Sequence, residues 1–326
     1  MRAWRVHELG EPRDVLRLEE VAAPLPGPGE IRVEVRAAAL NFPDVLLCQG
    51  RYQIRPPLPF TPGIEVTGRV DAVGQGAEVP LGTRVVVMPA LPGGGLAELV
   101  VAPAAEALAV PDAMPDQTAA VLLVTYQTAH FALHRRAAIR PGETLLVHAG
   151  AGGVGSATIQ LGVAAGARVL ATAGSPEKVR ICLDLGAELA VNYRTDDFVE
   201  VVREATAGRG ADVVVDPVGG DVLDRSRRCV AFEGRIMVVG FAGGRIADLP
   251  SNHVLLKNYS VVGLHWGRYR EVAPELVRET HEELTRLHAE GRIEPLLFAE
   301  LPFQEAAAGL HAIAERRTWG KVVVLP

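Results

Sequence analysis

Cysteine is scarce and scattered. Cys48, Cys182 and Cys229 stand far apart, form no C-x-x-C pair and are odd in number. No disulfide framework is expected, and a reducing compartment fits. No apolar run reaches the roughly 18 residues that a membrane span requires. The opening Met1-Arg2-Ala3-Trp4-Arg5-Val6 enters a strand-like segment without an apolar h-region. Neither secretion nor membrane insertion is therefore expected, and a cytoplasmic setting is. There is no basic cluster, and the net charge of −6 argues against a nucleic-acid surface. Repeats, low-complexity tracts and disordered linkers are absent too.

What is there suits a packed protein, with 48% hydrophobic and 22% charged residues. A chain of 326 residues suits two domains, since single cores stop growing near ~250–300 residues. The first third reads as short strands over 31–35, 68–73, 84–88 and 97–101. Turn signals such as Pro26-Gly27-Pro28-Gly29 and Pro92-Gly93-Gly94-Gly95 separate them, as in a sandwich or barrel. Near residue 115 the rhythm changes to helical spacing over 115–133. From 144 strands and helices alternate. The strands are 144–149, 168–173, 211–216, 235–239 and 259–264, and the helices are 155–165, 176–185, 196–205 and 219–230. Ser175 caps the second of these helices, with Pro176 at its first position. That alternation predicts a doubly wound parallel sheet, an α/β fold. A polar-faced helix over 271–289 follows, and the chain ends in a strand, Lys321-Val322-Val323-Val324-Leu325.

The strongest local signal is Gly150-Ala151-Gly152-Gly153-Val154-Gly155, a G-x-G-x-x-G between a strand and a helix. Missing Cβ atoms let the backbone turn tightly and approach a pyrophosphate, which the helix N-terminus attracts. A glycine-rich turn without nucleotide is the alternative. NAD sites place an acid at the end of the second strand, about 20 residues on. Here that strand ends Ala173-Gly174-Ser175 without an acid, and Lys178 follows one turn into the helix. A cation without a carboxylate favours a 2′-phosphate, hence NADPH; the bland reading makes Lys178 a solvated helix residue.

Other stretches carry a family resemblance: Asn41-Phe42-Pro43-Asp44, Gln49-Gly50-Arg51-Tyr52, Pro59-Phe60-Thr61-Pro62-Gly63-Ile64-Glu65-Val66, Val191-Asn192-Tyr193-Arg194, Asp216-Pro217-Val218-Gly219-Gly220 and Gly320-Lys321-Val322-Val323. With the glycine loop they span the chain. It resembles the medium-chain dehydrogenase/reductase superfamily, in its zinc-free NADPH:quinone oxidoreductase (zeta-crystallin-like) branch. The resemblance implies a GroES-like β-rich catalytic domain over 1–121 and 268–326, and a Rossmann NADPH-binding domain over 122–267. Zinc members of the superfamily place a Cys, a His and a Cys where this chain looks to have Asn41, Ile64 and about Val124. None of these is a usual zinc ligand, so no metal is expected. His130 and His134, four apart, lack a third ligand and read as ordinary helix residues.

A site without a Lewis acid suits an acceptor that is already electrophilic, a quinone or conjugated carbonyl compound. The resemblance puts Asn41 and Tyr52 beside that acceptor as hydrogen-bond donors, with a buried core tyrosine as the plain alternative for Tyr52. Asp44 reads as the cap of a helix from Val45. For the cofactor, the resemblance implies Thr128 at the nicotinamide ribose. Gly174, Ser175, Lys178, Tyr193 and Arg316 would surround the adenosine 2′-phosphate, and Gly240 and Phe241 would approach the nicotinamide. Arg317 remains an alternative to Arg316, which as a plain surface charge would contact nothing. The expected activity is hydride transfer to quinones, or to enoyl-CoA or acryloyl-CoA double bonds. A non-catalytic NADPH- or RNA-binding protein is the rival of another class. A homodimer paired through 259–264 is expected by family analogy.

Overall fold

The computed structural model describes all 326 residues. It divides into two compact units, one of Met1–Val124 with Leu297–Pro326 and one of Thr125–Leu296.

In the first unit β1 (Arg2–Val6) and β2 (Leu16–Glu20) pair antiparallel, with the short helix α1 (Pro12–Val15) between them in sequence. The long strand β3 (Glu30–Leu40) runs through Asn41 into α2 (Phe42–Cys48). Then come β4 (Glu65–Val73), β5 (Arg84–Val87), β6 (Leu99–Pro103), β7 (Leu108–Ala109) and α3 (Asp116–Val121).

The second unit holds α4 (Gln127–His130), β8 (Thr144–Val147), α5 (Gly153–Ala164), β9 (Arg168–Ala173), α6 (Pro176–Asp184), β10 (Leu189–Asn192) and α7 (Phe198–Ala205). It continues through β11 (Ala211–Asp216), α8 (Gly220–Ser226), β12 (Val230–Val238), α9 (Ser251–Lys257), β13 (Ser260–Gly263), α10 (Gly267–Val272) and α11 (Pro274–Ala289). The chain then returns to the first unit with β14 (Leu297–Pro302), α12 (Ala306–Ala314) and β15 (Lys321–Leu325).

The six strands of the second unit are all parallel, in the order β10-β9-β8-β11-β12-β13. The order reverses between β8 and β11, and ligands of such sheets bind at the strands' carboxyl ends there. Thr144-Leu145-Leu146-Val147 is buried throughout, the unbroken pattern of a strand covered on both faces. Ser175 accepts the Lys178 N–H and Asp197 accepts the Val199 N–H, so both helices start at side-chain caps.

The first unit's main sheet runs β14-β15-β3-β4-β5-β7, with β6 also on β3. β3 alternates faces: Ala38 and Leu40 join the larger core with Trp4, Phe60 and Phe303, while Ala37 and Ala39 meet Ala120 and Val121 of α3. Small side chains on that face let α3 lie close. The three cysteines are buried, and burial pushes each thiol up to about 12, so they are inert at neutral pH. No helix is long and apolar enough to cross a membrane.

Three boundaries differ from the sequence reading. Residues 268–296, assigned above to the β-rich domain, belong to the second unit. There α11 buries Val277, Leu284 and Leu287, and Gln127 donates to the Val277 carbonyl at 3.1 Å while accepting from Trp266. The helix read over 115–133 contains π-helical turns at Leu122–Tyr126 and Phe131–Arg136, which apolar spacing does not reveal. And α2 begins at Phe42, not at Val45, because Asn41 rather than Asp44 is its N-cap.

Candidate active site

The glycine loop lies between β8 and α5. Ala149 holds φ at 51°, and the Gly152 N–H closes the turn on its carbonyl at 2.9 Å. A Cβ on Gly155 would stand 2.1 Å from that same carbonyl oxygen, and one on Gly150 would stand 2.8 Å from the Cys182 sulfur. The protein's own packing thus requires these two glycines. Gly152 is different: its Cβ would meet only the Ala149 oxygen, at 3.3 Å. No side chain caps α5, so backbone N–H groups of its first turn point outward. Bare backbone at an uncapped helix start fits a pyrophosphate.

The neighbouring strand ends are held by side chains. The His148 ring, last before the loop, lies 3.0 Å from the Thr172 hydroxyl and 2.8 Å from the Ser226 hydroxyl, joining β8, β9 and α8. Burial pushes its pKa down to about 3, so it is a neutral strut. At the end of β9, a Cβ on Gly174 would stand 2.5 Å from the Tyr193 hydroxyl, which brings Gly174, Ser175 and Tyr193 together. Asp216, fully buried at the end of β11, accepts the Val218 and Gly219 N–H groups at 2.7 and 2.9 Å. Burial raises its pKa, and its second oxygen has no protein partner. The loop it shapes binds the next one: the Ala242 N–H donates to Pro217 and Gly243 to Val218, and Phe241 crowds Gly219. Thr128 is buried on α4, which packs against α5.

The polar centre of the first unit is built on Glu65 and Lys321, both buried. The Lys321 ammonium donates to the Leu40 carbonyl at 3.0 Å, to Asn41 Oδ1 at 2.5 Å and to Glu65 at 2.8 Å. Glu65 also accepts from Asn41 Nδ2 at 2.9 Å and from the Val124 N–H at 2.8 Å. The second Nδ2 hydrogen of Asn41 goes to the Ala39 carbonyl at 3.1 Å. Both amide hydrogens are therefore committed inside the protein, and the expected outward hydrogen bond from Asn41 has no donor left. Asp44 accepts the N–H groups of Asn41 and Gly63, each at 2.9 Å, and burial pushes its carboxyl up to about 7. Tyr52 contrasts with Asn41. It is half-buried against the same core, and its hydroxyl makes no hydrogen bond within the protein. Burial and the nearby Asp44 raise its pKa, so it is a neutral donor rather than a ready acid.

Two family descriptions match this chain: an alcohol dehydrogenase GroES-like domain over residues 27–112 and a zinc-binding dehydrogenase over 153–282. The quinone oxidoreductase-like protein 2 of Bos taurus is 39% identical over 99% of this chain and 93% of its own. The chain belongs to the medium-chain dehydrogenase/reductase superfamily, in its quinone oxidoreductase branch. Among solved structures, the Escherichia coli quinone oxidoreductase complexed with NADPH superposes with a TM-score of 0.93, at 31% identity and with both chains covered completely. The Thermus thermophilus quinone oxidoreductase, solved alone and with NADPH, gives 0.86 at 36% identity, again over both whole chains.

Within this superfamily fold, the expected contacts sort by unit. Thr128, the glycine loop, Gly174, Ser175, Lys178, Tyr193, Gly240 and Phe241 belong to the second unit; Asn41, Tyr52 and Arg316 belong to the first. Arg316 holds φ at 59° just past α12, and Arg317 is paired with Glu315 at 2.6 Å. Sequence reasoning missed Glu65, Lys321, His148 and Asp216 as builders of the site. Glu65, Lys321 and Asp216 left a trace, each a charged residue at the end of an apolar strand, whereas His148 left none.

Proposed function

We propose that this protein is an NADPH-dependent, zinc-independent reductase of quinones or related conjugated carbonyl compounds. Bound NADPH supplies the hydride. The observation that carries the reading is the Asn41–Glu65–Lys321 cluster. At the positions where zinc relatives of this superfamily place ligands stand an amide already committed to Glu65 and Lys321, an isoleucine, and a valine whose N–H donates to Glu65. No group of three or more histidine, cysteine or acidic side chains is arranged for a metal. The acceptor must then be activated by its own conjugation and by hydrogen bonding to its developing oxyanion.

Tyr52 is our candidate for that hydrogen bond, because its hydroxyl is uncommitted where Asn41 is not. For the cofactor, the uncapped start of α5 would offer N–H groups to a pyrophosphate, and Gly174, Ser175, Lys178 and Tyr193, neighbours at the end of β9, would meet a 2′-phosphate; Arg316 is carried over as a contact by family analogy alone. The acid-free end of β9 supports NADPH over NADH, and the NADPH complex of the Escherichia coli relative supports the same choice. An enoyl-CoA reductase is the second reading, favoured by Arg51 and Arg55, exposed on either side of Tyr52 and suited to an anionic acceptor. Subunits would pair through the β13 edge, and a monomeric mass by light scattering would remove that element.

The deciding assay follows NADPH oxidation by metal-stripped enzyme with 1,4-benzoquinone and with a short 2-enoyl-CoA. A higher kcat/KM with the quinone supports the main reading. A higher value with the thioester moves the assignment to carbon–carbon double-bond reduction, and no turnover of either overturns both.

A further inference from the structure

His130 closes α4, and His134 lies one turn on, in the π-helical stretch Phe131–Arg136. Four residues apart, they share a helix face, a spacing that lets two imidazoles meet one metal ion. Their ring centroids are 4.5 Å apart at a tilt of 43°. Neither ring makes a hydrogen bond or ion pair inside the protein, and neither has nitrogens sealed in the core. Both face a cavity of about 280 Å³, to which α11 contributes Glu279 and Thr280. His148 shows the other use of a buried imidazole, with both nitrogens tied to hydroxyls.

We propose that His130 and His134 bind one divalent transition-metal ion, in a site outside the proposed reaction. Neutral imidazoles suit zinc, nickel and copper rather than magnesium or calcium. Glu283 of α11 is close enough to act electrostatically on both rings but is held by Arg286, which leaves Glu279 as the acidic group on the cavity wall. No third protein ligand stands in cluster position, so water completes the coordination. Arg135, also on the wall, opposes a cation. The site is therefore an exchangeable one, ordered copper over nickel by the usual affinity series.

The test is isothermal titration of the full-length, chelator-stripped protein with copper, nickel and zinc chlorides. One equivalent per chain should bind. His130→Gln and His134→Gln should each lower the affinity about tenfold or more, and His7→Gln should leave it unchanged. Equal affinity in wild type and both variants, or no saturable binding of any of the three metals, overturns the proposal. Electron paramagnetic resonance of wild-type protein with one equivalent of copper keeps the test independent of how the variants fold. Nitrogen hyperfine coupling from two imidazoles is expected, and a spectrum with oxygen ligands alone overturns it.

Discussion

Lys321 and Glu65 form an ion pair at 2.8 Å, with side chains only 4% and 0% exposed. They lie 256 residues apart in the chain. Every further hydrogen bond their side chains make falls on the segments that position Asn41 and Val124. A cation and a carboxylate together thus cross-link β3, β4 and β15 at one buried point.

Lys321→Met removes one partner and leaves a buried carboxylate unpaired. The expected loss is about 3–5 kcal/mol in stability. Adding Glu65→Gln to that variant should recover much of it, because the stranded charge disappears. Urea unfolding midpoints of the single and double variants measure this. A single variant as stable as wild type would show that the pair contributes nothing.

Tyr52→Phe should lower kcat/KM with a quinone by about tenfold, the worth of one hydrogen bond to a developing oxyanion, with little change in thermal midpoint. Asn41→Ala should act mainly on stability, by about 1–3 kcal/mol, since it strips partners from Lys321 and Glu65. Steady-state kinetics beside melting curves separate the two. The reverse pattern, in which Asn41→Ala abolishes turnover in a fully stable protein, would return the donor role to Asn41.

Lys178→Ala should weaken NADPH binding much more than NADH binding, by about 1.5–3 kcal/mol if the ammonium makes a charge-assisted bond to the 2′-phosphate. Fluorescence titration with both dinucleotides reads the difference. Equal losses would mean that Lys178 does not meet that phosphate.

His148 makes stability depend on pH. Its pKa falls from 6.5 to about 3 on folding, so between those values the unfolded chain binds more protons than the folded one. Its contribution is full above 6.5 and is lost as pH falls toward 3. By about pH 5 the expected loss is about 2 kcal/mol. His148→Gln, which keeps an acceptor and a donor, should flatten that part of the profile. Urea midpoints of both proteins across this range check it, and parallel slopes would exclude His148 as the source.

Turnover should survive exhaustive chelation. Loss of quinone reduction in EDTA, restored by zinc, would overturn the metal-free reading of Asn41, Ile64 and Val124.

The amino-acid sequence by itself determined the features whose causes are local. Apolar runs interleaved with helical spacing specify the parallel sheet. Ser175-Pro176 starts α6, and the glycine loop makes its turn between β8 and α5, because caps and missing Cβ atoms act within a few residues. The absence of an acid after Ala173 can be read directly. What only the tertiary structure decided depends on partners distant in sequence. Whether Asn41 has a donor to offer depends on Glu65, 24 residues away, and its amide oxygen is taken by Lys321, 280 residues away. The unit to which residues 268–296 belong depends on which surface covers the apolar stripe of α11. A buried charge is visible in a sequence, but which groups satisfy it is settled when strands from both ends of the chain meet in one sheet.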